Sequence, residues 1–263
     1  MYIVINNRFL SRIKSLNKSI IGINVKPRQK LLIVSSLLVY YTLMESRAIV
    51  LLSGGQDSAT CLAIAANEYT NIHCVCFDYG QRHQIEIESS KQLAKLAGAT
   101  FQCVDLRFMS GLSNSALIHA DQPIVEAPGE LPSTFVPGRN ALFLTVAAMI
   151  AYQKQSDVIY TGVCQTDFSG YPDCREAFVS SQQATINLAM ETDIQIKTPL
   201  MHLTKAQTVI KMNELGRLDW YKETHTCYEG TRPACGKCQA CHLRLKGFRD
   251  ANIADPLAYQ SET

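Results

Sequence analysis

The chain has 263 residues, 47% of them hydrophobic and 18% charged, with 14 Gly and 9 Pro. That composition supports a packed core and excludes a disordered, collagen-like or low-complexity chain. A formal net charge of +2 gives no case for a generally basic nucleic-acid binder, and no apolar run reaches the ~18 residues that suggest a spanning helix.

In chain order, the first segment stands apart by charge. Residues 1–43 carry seven basic side chains (Arg8, Arg12, Lys14, Lys18, Lys26, Arg28 and Lys30) and no acidic one. Residues 44–263 carry 18 basic and 23 acidic side chains, a net of −5. A basic stretch that closes on an apolar run, here residues 31–43, has the outline of an export signal. The fit is poor, because the basic part is long and Met44-Glu45-Ser46-Arg47 offers no small-x-small cleavage site. Two other readings are a helix added to the fold, and a start placed too early with Met44 the true initiator. The last is favoured, since Met44 lies just before a strand that opens a complete domain.

From there, strand and helix patterns alternate. Residues 48–52 form an apolar run ending in a Gly-Gly turn and predict a buried strand. Residues 58–67 predict a helix, 72–77 a strand, 82–97 a helix closed by Gly98, and 101–104 a strand. Residues 107–138 contain four Pro and predict a long loop of the kind that covers a site. Then come a helix over 140–153, a strand over 158–162, a helix over 173–190, a short strand over 195–197, and a helix over 204–215 with Thr204 as its cap. This order predicts an α/β fold: a Rossmann-like parallel sheet with helices on both faces.

Two motifs carry chemistry. Between the first strand and first helix stands Ser53-Gly54-Gly55-Gln56-Asp57-Ser58. Two glycines let backbone amides approach an anion, two serines add hydroxyls, and the next helix presents its N-terminus. No Lys-Ser/Thr follows, so this is not a Walker loop. Asp57 inside an anion site makes sense beside a Mg²⁺ ion that bridges phosphates. Near the C-terminus, Cys227, Cys235, Cys238 and Cys241 have the spacing of a tetrahedral metal site. A structural Zn²⁺ is the first reading and an iron–sulfur cluster its rival. His225 and His242 are read as neighbours or surface residues. The other six Cys (Cys61, Cys74, Cys76, Cys103, Cys164, Cys174) sit among apolar residues, which is how reduced thiols of a cytoplasmic protein are used.

The loop resembles the pyrophosphate loop of the N-type ATP pyrophosphatases, whose fold is that of the adenine nucleotide alpha hydrolases. Further strings narrow the resemblance: Phe77-Asp78-Tyr79-Gly80-Gln81-Arg82-His83, Val136-Pro137-Gly138-Arg139-Asn140, Thr166 to Arg175, and Lys197-Thr198-Pro199-Leu200, followed by the four Cys. In this order they resemble the QueC family of queuosine precursor synthesis, over about residues 46–255. The resemblance implies a ligase that turns 7-carboxy-7-deazaguanine and ammonia into 7-cyano-7-deazaguanine through adenylated acid and amide, spending ATP. It implies a homodimer and no nucleic-acid or membrane partner. It divides the chain into the extension (1–43), an ATP-binding domain (44–220) and a zinc-binding module (221–263).

On that resemblance, Leu51, Leu52, Ser53, Gly54, Gly55, Gln56, Asp57, Ser58, Ala59, Thr60 and Cys61 are expected at ATP. Asp57, Arg139 and Lys205 are expected to act on the reacting phosphates. Asp78, His83, Asp167, Tyr171, Asp173 and Arg175 are expected at the deazaguanine. Each has a plainer reading beside it: a loop salt bridge for Arg139, a cap on the following helix for Asp173, a solvated helix face for Lys205. Two rival functions stay open. One is a tRNA thiolase with the same loop, for which Cys164 and Cys174 stand near the expected pocket. The net of −5 weighs against RNA there. The other is a zinc module that grips nucleic acid, with Arg232, Lys237, Arg244, Lys246 and Arg249 as its best feature and few aromatics flanking the cluster.

Overall fold

The structure is a computed structural model that describes residues 46–82, 84–119, 121–125, 131–165 and 170–260. The chain divides into Met1–Ser46 and Arg47–Thr263, and all described residues but Ser46 belong to the second unit. The expectations for residues 1–43, and for His83 and Asp167, lie outside the described residues.

Five strands form one parallel sheet: β1 (Arg47–Leu51), β2 (Asn71–Asp78), β3 (Thr100–Asp105), β4 (Val158–Tyr160) and β5 (Gln195–Lys197), in the order β3-β2-β1-β4-β5. Every pairing is parallel, with Val50 opposite both Cys74 and Tyr160. Six helices of the described residues cover it: α1 (Gln56–Glu68), α2 (Ile85–Leu96), α3 (Arg139–Lys154), α4 (Glu176–Met190), α5 (Lys205–Glu214) and α6 (Gln239–Asp250).

The alternation of side chains along β1 assigns the two faces. Ala48 and Val50 pack on Leu62 of α1, Leu93 of α2, Val209 of α5 and Phe248 of α6. Ile49 points the other way, onto Leu144, Ala147 and Ala148 of α3 and Val179 and Ile186 of α4. Both faces are buried, so the central strands read as unbroken apolar runs and show no alternation. Truncating a fully buried side chain such as Leu62 is expected to cost about 2–5 kcal/mol.

Strand order reverses between β1 and β4, and the carboxyl ends of these two strands open a crevice of the kind that binds ligands in open α/β sheets. The phosphate-loop string follows β1, and residues 161–165 follow β4. Element ends move by no more than three residues from expectation, and one start changes meaning. The helix expected from Asp173 begins at Glu176; Pro172–Cys174 is a separate 3-10 turn. Thr204 caps α5 as expected, with a reciprocal Thr204–Gln207 capping box. Helix α6 departs from the sequence pattern, since the face it buries mixes Ala240, Cys241, Gly247 and Phe248 with the cation Arg244 and so shows no clean apolar stripe.

Candidate active site

The loop after β1 is held open by its own bonds. The Ser53 amide and hydroxyl each lie 3.2 Å from Ser58 Oγ, and Ser58 Oγ donates to the Gly55 carbonyl at 3.0 Å. Gly54 takes φ +82°, and a Cβ there would stand 2.4 Å from the Glu86 carbonyl oxygen. Only glycine fits that conformation and that approach. Gly162, just after β4, meets the loop in the same way: a Cβ would lie 3.0 Å from the Ser58 nitrogen. The first turn of α1 therefore sits directly against both strand ends, with its free amides at the crevice.

A cavity of about 410 Å³ occupies the crevice, a size that suits a small-molecule site. Leu51, Leu52, Ser53, Gly55, Gln56, Asp57 and Ser58 line it, as do Arg139, Tyr171 and Lys205. Asp57 Oδ2 lies 2.6 Å from Lys205 Nζ, and both side chains are about a quarter exposed. Lys205 thus reaches the cavity from the first residue of α5 and is not on a solvated face. Gln56 is buried, and its Nε2 has no hydrogen-bond partner among the described residues, a donor left for a ligand or a water.

Arg139 opens α3 after Gly138, which is left-handed at φ +73°. Its guanidinium lies 6.0 Å from the centre of the Tyr79 ring and 5.8 Å from that of Tyr171. It makes no ion pair with a carboxylate of the described residues. Burial would weaken its charge, but Tyr79, Tyr171, Asp173 and Cys174 outweigh that and hold its pKa above the usual value. The wall beside it is aromatic: Phe77 stacks on Phe143 at 4.2 Å, and Tyr79 lies 5.5 Å from Phe143. Tyr171 shares a 2.6 Å hydrogen bond with Thr134, from the long loop. This arrangement makes a flat apolar slot beside a fixed cation.

Other expected residues stand elsewhere. Ala59, Thr60 and Cys61 are wholly buried in α1. The Thr60 hydroxyl is 2.6 Å from that of Tyr221, and Cys61 donates to the Thr161 carbonyl. They support the loop from beneath and do not line the cavity. Asp173 does not cap α4, the following helix. Its Oδ2 accepts from the Asn140 amide at the start of α3, while Oδ1 is buried with no partner among the described residues. Asp78 accepts from the Gly80 amide and lies 3.8 Å from Arg107, away from the cavity lining. Arg175 is exposed at the start of α4 and does not line the cavity either.

Residues that sequence reasoning did not single out line the cavity too. Glu86, in the first turn of α2, is half-buried there. In the sequence it reads as one acidic residue of a solvated helix. Burial raises its carboxyl to about 7, against a pull downward from Arg139. Gly162 had a usable signal, since a glycine at the end of a strand beside a phosphate loop marks close backbone approach.

The four cysteines of the C-terminal module converge, with all Sγ atoms within 4.8 Å of one another and Cys235 and Cys241 3.9 Å apart. A tetrahedral Zn²⁺ with ~2.3 Å bonds needs sulfurs ~3.8 Å apart, so the set fits a four-thiolate ion. Backbone amides of Cys235, Tyr228, Lys237 and Cys238 point at the sulfurs at 3.3–3.4 Å. Burial alone would raise the Cys227 thiol, but amide donors from Cys235, Glu229 and Thr231 bring it to about 7. His225 is buried, its amide donates to the Gly54 carbonyl at 2.8 Å, and its ring meets the Cys227 carbonyl at 3.0 Å. One residue therefore ties the cysteine cluster to the phosphate loop. Three of the five basic residues near the cluster already have partners within the fold. Arg244 is 1% exposed and paired to Asp255 at 2.8 Å, Arg232 donates to Ser89, and Lys246 pairs with Asp250.

With this geometry in hand, the chain can be compared with known proteins. The sequence model of a family described as queuosine biosynthesis protein QueC matches residues 47–252. A curated protein of Bacillus subtilis, 7-cyano-7-deazaguanine synthase, is 50% identical over 208 residues, which are 78% of this chain and 95% of that one. Two solved structures overlap in part. One is a predicted subunit of a tRNA methyltransferase from Methanocaldococcus jannaschii, at 19% identity, TM-score 0.44, over 64% of this chain and 75% of that one. The other is a 4-thiouridine synthetase in complex with RNA and ATP, at 16% identity, TM-score 0.45, over 79% and 51%. Likeness at that level says nothing about activity.

Proposed function

The chain belongs to the QueC family of queuosine biosynthesis proteins, and from that premise we propose how its residues perform the reaction of a 7-cyano-7-deazaguanine synthase. The activity is that of an ATP-dependent carbon–nitrogen ligase. A carboxylate must lose two oxygens to become a nitrile, and each oxygen is a poor leaving group until it is activated. The acid first attacks the α-phosphorus of ATP, giving acyl adenylate and pyrophosphate. Ammonia attacks the acyl carbon, AMP leaves and the amide remains. The amide oxygen then attacks a second ATP, releasing pyrophosphate and one N–H proton to give the adenylated imidate, and loss of AMP with the remaining N–H proton gives the nitrile. One nucleotide site serves both activations.

The observation that carries this reading is a single cavity that joins a phosphate loop to an aromatic slot. Ser53, Gly55, Gln56, Ser58 and the amides of α1 cradle the phosphates. Asp57 supplies hard oxygens and would hold Mg²⁺, which when bound neutralises phosphate charge. Lys205 keeps the Asp57 carboxylate oriented and adds a cation to the phosphate end. Arg139, fixed between two phenol rings, stabilises charge that develops on the transferring group. Tyr171 and the Phe77–Phe143 pair sandwich the planar deazaguanine. Asp173 acts through Asn140 by fixing the start of α3. The four cysteines hold a structural Zn²⁺ and take no part in the chemistry.

We include a homodimer in the proposal. Met149 and Tyr152 on α3 and Leu188 on α4 are apolar and 56%, 49% and 83% exposed, on helices that cover the same face of the sheet; sedimentation of the full chain tests it. The reaction itself is tested with the full chain, ATP, Mg²⁺, ammonium and 7-carboxy-7-deazaguanine, with products followed by mass spectrometry. Nitrile together with AMP is expected. Folded, metal-loaded protein that yields neither amide nor nitrile overturns the reading.

A further inference from the structure

We propose that Glu86 is the proton acceptor for nitrogen in this site: it takes the proton that ammonia sheds in forming the amide, and later the N–H proton lost as the adenylated amide becomes the nitrile. The inference rests on the reaction assigned above. In the first step a nitrogen–carbon bond forms, the bond from carbon to the AMP oxygen breaks, and one proton leaves nitrogen. In the second, the amide gives up one N–H proton as its oxygen is adenylated; the carbon–oxygen bond to AMP then breaks, the last N–H proton leaves, and the electron pair of that N–H bond completes the triple bond. No oxidant or reductant is needed, but each step needs a base near the reacting carbon.

The groups that line the cavity narrow the choice. Among the described residues, two carboxylates do so, Asp57 and Glu86. Asp57 belongs to the phosphate loop, and its Oδ2 is held by Lys205 at 2.6 Å. Lys205 and Arg139 are cations and carry their protons already. The Cys164 thiol is turned to the carbonyls of Met201 and Leu203. The His225 ring is buried against the Cys227 carbonyl. Glu86 stands where a base is wanted: on the first turn of a helix whose backbone touches Gly54 of the phosphate loop, and facing Arg139 and Tyr79 of the aromatic slot.

Its surroundings also suit it to the task. Among the described residues, the ionisable groups that face it are Arg139 from α3, Tyr79 after β2 and Cys76 on β2. Burial pushes the Tyr79 phenol and the Cys76 thiol up to about 12, so neither competes as a base near neutrality. One helical turn further on, Ser89 receives Arg232; Asp57 and Lys205 line the same cavity. Burial also raises Glu86 itself to about 7. A carboxylate at that value is half ionised near pH 7 and becomes a competent base as pH rises through it.

The test compares the wild-type chain with Glu86→Gln and Glu86→Asp, with folding checked by circular dichroism. Acid-dependent exchange of pyrophosphate into ATP reads adenylation, and single-turnover amide and nitrile formation read the nitrogen steps. For Glu86→Gln the nitrogen steps are expected to fall ~10²–10⁴-fold, and by clearly more than the exchange rate falls. At constant free ammonia, the wild-type nitrogen steps rise with pH through about 7; Glu86→Gln loses that limb, and Glu86→Asp keeps it at a lower rate. A Glu86→Gln rate within a few-fold of wild type, with the limb retained, overturns the inference alone. So does a raised KM for the acid with kcat and limb unchanged, which makes Glu86 a contact to the heterocycle. A wild-type chain that forms no amide or nitrile overturns the reading of the site and this inference together.

Discussion

The phosphate-loop region and the cysteine module lie side by side, joined through His225, yet they treat their polar groups in opposite ways. At the loop, Gln56 Nε2 is without a partner among the described residues and Asp57 is partly open to the cavity. In the module, the four sulfurs face one another and receive backbone amides. Beside them Arg244 is enclosed, with donors placed on Asp255, Thr224, Thr226 and the Tyr221 carbonyl. A buried polar group left unsatisfied costs free energy unless a ligand completes it, whereas a closed network rigidifies the fold. The first region is arranged for a visitor and the second for itself. Substitutions should therefore separate: function without much stability at the loop, stability before function at the module.

The largest effect is expected at the module. Structural Zn²⁺ contributes about 10–16 kcal/mol of apparent binding energy in isolated zinc modules. Cys235→Ser should release the metal, lower Tm strongly and loosen the Gly54–His225 contact, so ATP affinity falls as a consequence. Thermal unfolding with metal analysis checks it; unchanged stability in metal-free protein would remove the structural-metal role and break the contrast. The next effect is at the loop. Asp57→Ala removes a partly exposed carboxylate whose ion pair contributes about 0–1 kcal/mol to stability, so Tm should barely move. Turnover of ATP should fall by about 10²–10³-fold, as when one preorganised charge-stabilising group is lost. Stopped assays of AMP release, beside unfolding curves for the same protein, decide whether the two quantities part.

The two regions were also unequally legible. The phosphate string and the four cysteines could be read directly, because each packs a whole site into a short stretch with glycines at the turns. The sheet was legible for a similar reason: apolar strands alternate with helical patterns, and only a parallel sheet satisfies that order. What the sequence hid was side-chain direction. Ala59, Thr60 and Cys61 continue the phosphate string, but a helix turns them away from the ligand within one turn. Asp173 reads as a cap on the helix that follows it, and it serves the helix that precedes it. Arg244 reads as surface charge near a metal, until Asp255, eleven residues on, folds back to pair with it. Glu86 is ordinary in sequence, and its character comes from Gly54 and Arg139, which are distant in the chain and adjacent in the fold.

The smallest effect tests the contrast from a third position. Thr204 accepts a hydrogen bond from the Gln207 amide at 3.2 Å, and its own amide donates to Gln207 Oε1 at 2.8 Å. The next residue is Lys205, whose Nζ reaches Asp57. Thr204→Ala removes one half of that box and should cost about 1 kcal/mol of stability, which for a domain of this size lowers Tm by about 2–4 °C. Were the cap only a helix terminator, ATP kinetics would stay as they were. Because it fixes the residue that orients the loop carboxylate, the KM for ATP should rise a few-fold with kcat little changed. The paired change Thr204→Ser, which keeps the accepting oxygen, should restore both quantities. A Tm loss with no KM shift would place Thr204 with the cysteine module, among the residues that close the fold and leave the ligand alone.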